Sequence, residues 1–182
     1  IDHGKIRYNQ LQDPNDLSTQ LSRLQSNSGI VLSGSQLIKS TEQYAENIFS
    51  AFIDHLEENP QEARQQLQTL LRTSQNLPLA SRQFVNELVN ILQGNPHEIS
   101  DRLSSLTFNL KDHLSVVTSF NNATNGAISK RLAEGGQADR NAAAILNIYS
   151  VGDRMGMPPD SFVRRVGQNG GIFISQNGIG LS

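Results

Sequence analysis

The sequence predicts a mainly α-helical bundle of about six to eight helices, built on helix-(Asn/Asp)-Pro-helix corners and closed by a small C-terminal β-hairpin. Three observations predict it. A helix-start phrase occurs three times, as Asp13-Pro14-x-Asp16, Asn59-Pro60-x-Glu62 and Asn95-Pro96-x-Glu98. Apolar residues recur at helical spacing through most of the chain. Near the C-terminus Asn177-Gly178 lies between apolar runs, a short-range hairpin signal.

The repeated phrase has the chemistry of a helix start. Asn or Asp is a favoured N-cap, because its side-chain oxygen accepts an amide hydrogen bond that the helix leaves unmade, and proline suits the next position, where no donor is needed. The acid two places on fits a capping box and opposes the positive end of the helix dipole. Apolar residues follow on one face: Leu17, Leu21 and Leu24, then Ala63, Leu67 and Leu70, then Ile99, Leu103 and Leu106. The last two copies are 36 residues apart and the first two are 46 apart, so the spacing fits a compact bundle better than a regular solenoid.

In chain order, residues 1–12 read as irregular or extended, and a first amphipathic helix follows the Asp13 cap. Gly29-Ile30-Val31-Leu32-Ser33-Gly34 is a short apolar piece bracketed by glycines, a strand or a packed corner. The second helix starts between Ser35 and Thr41 and runs to Glu58, with Tyr44, Ile48, Phe49, Phe52, Ile53 and Leu56 inward. The third runs from Pro60 to about Thr73. Asn76-Leu77-Pro78 breaks the chain before a Ser81 cap and a fourth helix, whose wide apolar surface (Phe84, Val85, Leu88, Val89, Ile91, Leu92) suggests a central position. Gly94 ends it. The fifth carries Ile99, Leu103, Leu106, Leu110, Leu114 and Val117 towards Phe120 without a break.

The character changes after Asn121. Residues 126–182 hold 10 of the 14 glycines and six basic against four acidic residues, whereas residues 1–125 hold nine basic against thirteen acidic. We therefore expect a helical lobe over 1–125 and a Gly-rich helical lobe with the hairpin over 126–182, or one compact domain containing both. A short helix around Ile128 to Glu134 meets Gly135-Gly136. Asp139 then caps an alanine-rich helix from Arg140 to about Val151, a long loop covers Gly152 to Pro159, and one or two turns pass through Phe162 and Val166. The hairpin must lie on the helices or pair with a strand such as Ile30 to Leu32, because a lone hairpin is marginal in water.

Composition narrows the function. The charges nearly balance, 15 basic against 17 acidic, which argues against nucleic-acid binding by bulk phosphate neutralisation. With no Cys in the chain, disulfides, thiol nucleophiles and Cys-ligated metals are excluded. No apolar run approaches the roughly 20 residues of a membrane span. A chain beginning at Ile1 is expected to have been cut from something longer, so targeting information can lie upstream.

Catalytic and metal signatures are weak. His97-Glu98-x-x-Asp101 resembles a zinc-protease helix motif with Asp in place of the second His, and His3, His55 and His113 add no ligand spacing to it. Asn122-Ala123-Thr124 matches a glycosylation sequon. No Gly-x-Ser-x-Gly elbow, Walker loop or dinucleotide fingerprint is present. No catalytic residue, metal or cofactor is expected, and a non-enzymatic role is favoured. The functional candidates are a glycine-bracketed polar set: Glu134, Gly135, Gly136, Gln137 and Arg140, then Asp153 and Arg154, then Arg164 and Arg165. Glycine permits close backbone approach and exposed arginine anchors interfaces.

The Asp-Pro-x-Asp and Asn-Pro-x-Glu helix starts followed by spaced leucines resemble helix pairs of bacterial type III secretion gatekeeper proteins, in which a similar Asp-Pro-Ser-Asp phrase precedes a leucine-rich helix. The Ser, Asn and Gln richness is similar to that of secreted bacterial effectors. The resemblance covers about half of the chain and leaves out its Gly-rich third. It implies a virulence or secretion protein, in the bacterial cytoplasm before export or in a host cell after it, that binds a host or secretion-apparatus protein. A second expectation is a regulator of a host small GTPase, an exchange factor or an activator, working through the Gly-rich loops, with Arg140 acting on the phosphates in an activator.

Overall fold

The computed structural model describes residues 5–6, 29–168, 170–175 and 178–181. The first copy of the helix-start phrase, the helix expected after Asp13, and His3 lie outside the described residues. Helices dominate what is described: α1 (Gly34–Glu58), α2 (Pro60–Thr73), α3 (Leu79–Gln93), α4 (Pro96–Leu106), a 3-10 segment (Thr107–His113), α5 (Leu114–Ala123), α6 (Ala127–Ala133), α7 (Gln137–Arg154) and α8 (Pro159–Gln168). Strands β1 (Lys5–Ile6), β2 (Gly29–Leu32), β3 (Ile172–Ser175) and β4 (Gly178–Leu181) form one sheet in that order. β1 and β2 are parallel and the other two pairs antiparallel, with Val31 opposite Phe173 and Phe173 opposite Gly180.

The two described helix starts use the phrase differently. At Asn95 the side chain accepts from the His97 amide at 3.0 Å, as a cap should. At Asn59 no side-chain cap bond forms. There the backbone makes the corner instead: the Asn59 amide donates to the His55 carbonyl at 3.0 Å, and its own carbonyl accepts from Ala63 at 2.8 Å. One residue thus ends α1 and begins α2. The expected apolar face is buried in both copies, Ala63, Leu67 and Leu70 in one and Ile99, Leu103 and Leu106 in the other.

The central helix is α1 rather than the expected α3. It packs on α2, α4, the 3-10 segment, α6, α7 and α8, whereas α3 packs chiefly on α2, α4 and α5. α3 is apolar over a wide arc because it packs on three helices, α2, α4 and α5. α1 and α7 run antiparallel, as three cross-links show: Thr41 to Tyr149 at 2.8 Å, Tyr44 to Asn141 at 2.9 Å and Asn47 to Asp139 at 2.8 Å. Positions ascending α1 meet positions descending α7. The Thr41 hydroxyl donates to the Leu37 carbonyl at 2.6 Å, so the Tyr149 hydroxyl is the donor between them, and burial pushes its pKa up to about 12. One core takes in Phe52, Phe84, Phe120, Leu146 and Phe162, spanning the expected boundary near residue 125, and Ile172 carries the sheet into it.

Several element boundaries differ from expectation. α3 starts at Leu79 after Pro78, so Ser81 is not a cap; it is buried, with its hydroxyl 3.2 Å from His113 Nδ1 and 3.2 Å from the Ser115 hydroxyl. The expected fifth helix is broken by the 3-10 segment, where Thr107, Phe108 and Asn109 are consecutive weak helix formers. α7 begins at Gln137 with Gly136 as N-cap, three residues before the expected Arg140, and Asp139 bonds to Asn47 across the interface instead of capping. α7 also continues to Arg154, so the expected loop from Gly152 shrinks to the residues between Arg154 and Pro159. α8 has 10 residues, more than the expected one or two turns.

Candidate functional site

The nine residues singled out in the sequence are spread over three places. Glu134 to Arg140 lie at the α6–α7 corner, and Asp153 and Arg154 lie at the far end of α7. At 1.5 Å per residue the thirteen steps from Arg140 to Asp153 separate them by about 20 Å. Arg140 is tied to its own corner, donating to the Gly135 carbonyl at 3.0 Å and to Gln137 Oε1 at 2.6 Å. Asp153 straps α7 to α5, accepting from the Ser119 hydroxyl at 2.6 Å and from Asn122 Nδ2 at 3.1 Å. Arg164 and Arg165 are exposed on α8, whose Phe162 and Val166 are buried.

Many glycines of this third are helix stops. α5 ends with the Gly126 amide bonded to the Asn121 carbonyl at 2.7 Å and Asn125 to Asn122 at 3.2 Å, with Asn125 at φ 58°. α7 ends the same way, Met157 to Gly152 at 2.8 Å and Gly156 to Asp153 at 2.9 Å, with Gly156 at φ 76°. α8 repeats it with Gly171 bonded to Val166 at 2.9 Å and Gly170 at φ 83°. These are Schellman endings, in which a left-handed residue lets two amides satisfy the last free carbonyls. Glycine is used here to turn the chain.

Between α5, α6 and α7 lies a polar cleft of about 450 Å³, lined by Asn121, Ser129, Lys130, Asn147, Ser150 and Arg154 among others. Its floor is structural. Asn121 is buried, accepts from the Ser129 amide at 2.9 Å and donates to the Ser150 hydroxyl at 3.2 Å.

The larger cavity is elsewhere: a groove of about 650 Å³ between α1 and the 3-10 segment. Its α1 wall is ordered by helical periodicity. Ala45, Phe49 and Ile53 recur every four residues and make an apolar floor, and beside them Glu42, Glu46, Ser50 and Asp54 recur at the same interval as a polar rim. The opposite wall is Thr107, Phe108 and Lys111. Phe108 is 72% exposed, the most exposed of the large apolar residues described. Glu42 and Glu46 have no ion-pair partner among the described residues. A like-charged pair one turn apart destabilises a helix slightly, so nothing in the fold calls for it.

At the end of this rim the charge is neutralised. Arg131 holds Glu58 with two hydrogen bonds of 2.7 and 2.8 Å and lies 3.8 Å from Asp54. The hydrogen bond lowers the Glu58 pKa and raises that of Arg131. His97 and Asp101 are exposed on α4, and among the described residues no group of three His, Asp or Glu side chains could hold a metal. No described helix is long and apolar enough to cross a membrane.

The apolar periodicity places Phe49 and Ile53 inward, whereas Glu42, Glu46, Phe108 and Lys111 belong to no motif in the sequence. Two signals were present: acids at four-residue intervals beside an apolar stripe, and Phe108 lying off the Leu103-Leu106-Leu110 stripe. Comparison with protein-family models, curated proteins and solved structures finds no match to this chain.

Proposed function

We propose that this chain is a protein-interaction module whose working surface is the groove between α1 and the 3-10 segment. The observation that carries the reading is Phe108, 72% exposed on the wall of a groove with an apolar floor and carboxylate rim. A large apolar side chain left in water beside a concave apolar surface is the ordinary form of a binding site, with charges at the edge setting orientation. Binding by shape and charge needs no nucleophile, metal or cofactor.

The test is site-directed photocrosslinking in cells that express the protein. With benzoylphenylalanine at position 108, a discrete adduct is expected, and a Glu46→Lys change on the rim should abolish it. The same probe at Leu79, 63% exposed on α3, should give none. Equal adducts at both positions, or none at 108, would overturn the assignment.

A bacterial secretion or virulence setting, with a host or secretion-apparatus protein as partner, is proposed on the similarity of the helix starts. Export of the full-length protein by a type III apparatus would support it, and retention would argue against it. No observation favours the GTPase-regulator reading; for its activator form the arginine must reach outward, and Arg140 is bound back to Gly135 and Gln137.

A further inference from the structure

We propose that the groove takes a cationic amphipathic helix about three turns long, lying along α1 with its apolar residues against the exposed Phe108 and over the floor of Ala45, Phe49 and Ile53, and its Lys or Arg side chains against Glu42 and Glu46. The proposal rests on the groove being the binding surface and adds the chemistry of what binds there.

Three properties select this occupant. The rim is acidic: Asp54 is offset by Arg131, which leaves Glu42 and Glu46, with no ion-pair partner among the described residues, against the single ammonium of Lys111. An anionic membrane surface or a nucleic acid would be repelled by that rim. The wall is helical and periodic: its lining runs from Glu42 to Asp54, about 18 Å at 1.5 Å per residue, the length of a helix of about twelve residues. The grooves between its four-residue ridges are also the kind into which the ridge of a second helix packs. An extended strand finds no free backbone edge on a helix wall, whereas helix-in-groove recognition uses apolar anchors at i, i+4 and i+7 flanked by charge.

The probe is a designed helical peptide of about 14 residues with Leu on one face and Lys flanking it, compared with a Lys→Glu twin and a Leu→Ser counterpart of unchanged charge. Binding to the full-length protein is read by fluorescence anisotropy. The basic amphipathic peptide should bind at least about tenfold more tightly than either control, and raising salt from about 0.05 to about 0.3 M should weaken it. The double change Glu42→Lys, Glu46→Lys and the single change Phe108→Ala should each weaken it about tenfold. All three positions are exposed, and unchanged melting temperatures will show that the fold is intact.

Equal binding of the Glu twin, with loss on Phe108→Ala, would overturn the cationic assignment and leave the groove as the site. Equal binding of the Leu→Ser peptide would reduce the effect to diffuse attraction and overturn the proposal. If no peptide binds and no photoadduct forms at position 108, the groove itself is the wrong surface. A concentration-dependent dimer lost in Phe108→Ala would assign the groove to a second copy of this chain and also contradict the proposal.

Discussion

Gly152 faces Phe162 so closely that an added Cβ would sit 2.5 Å from Cδ1 of the ring. Alanine normally favours a helix over glycine by up to about 1 kcal/mol, yet here the clash falls on a ring that is itself 1% exposed and has nowhere to go. Gly152→Ala is therefore expected to destabilise by about 1–3 kcal/mol, seen as a melting temperature lowered by several degrees. His113 makes a second residue-scale prediction. It stacks on Phe84 with centroids 4.3 Å apart, and burial lowers its pKa below 6.5, outweighing Asp112 and Glu87, which raise it. A folded-state pKa below the unfolded value means the unfolded chain takes up the proton first. Stability is then full above about pH 6.5 and falls as the pH drops below it. Urea midpoints at pH 7.5 and 5.5 should show that loss, and His113→Phe should reduce it.

At the scale of elements, α5, α6 and α7 are joined by side chains that bond to more than one element. Asn121 accepts from Ser129 at 2.9 Å and donates to Ser150 at 3.2 Å. Asn121→Ala strands a buried amide, and we expect a loss of about 1–3 kcal/mol in chemical unfolding. An Asn121→Asp change that keeps the acceptor should restore part of it if the Ser129 amide is the main partner. Gly156→Ala, at the left-handed position that stops α7, should cost about 1 kcal/mol. The helix starts were legible in the sequence because capping and periodicity are local: Pro60 and Pro96 open helices as read, and the apolar stripes after them are buried. The Gly-rich third was not legible in the same way. A glycine at a helix stop and one in a binding loop look alike until it is known which carbonyl, five residues back, its neighbour's amide meets. The break at Thr107 was hidden because Leu106, Leu110 and Leu114 keep helical spacing through the 3-10 segment.

For the whole molecule, the groove exists only because α1 and the 3-10 segment, which begins 49 residues after α1 ends, come to lie side by side. Each wall could be read alone, as acids at four-residue intervals and as an off-stripe Phe108; their meeting is tertiary. The central claim is that the working surface lies there and not among the glycine-rich corners. The most direct test maps amide chemical shifts of the full-length protein during titration with the basic amphipathic peptide. The account predicts shifts concentrated over 42–54 and 107–111. Shifts concentrated instead at 134–140, or at 121–130 together with Arg154, would contradict it and return the function to the Gly-rich third.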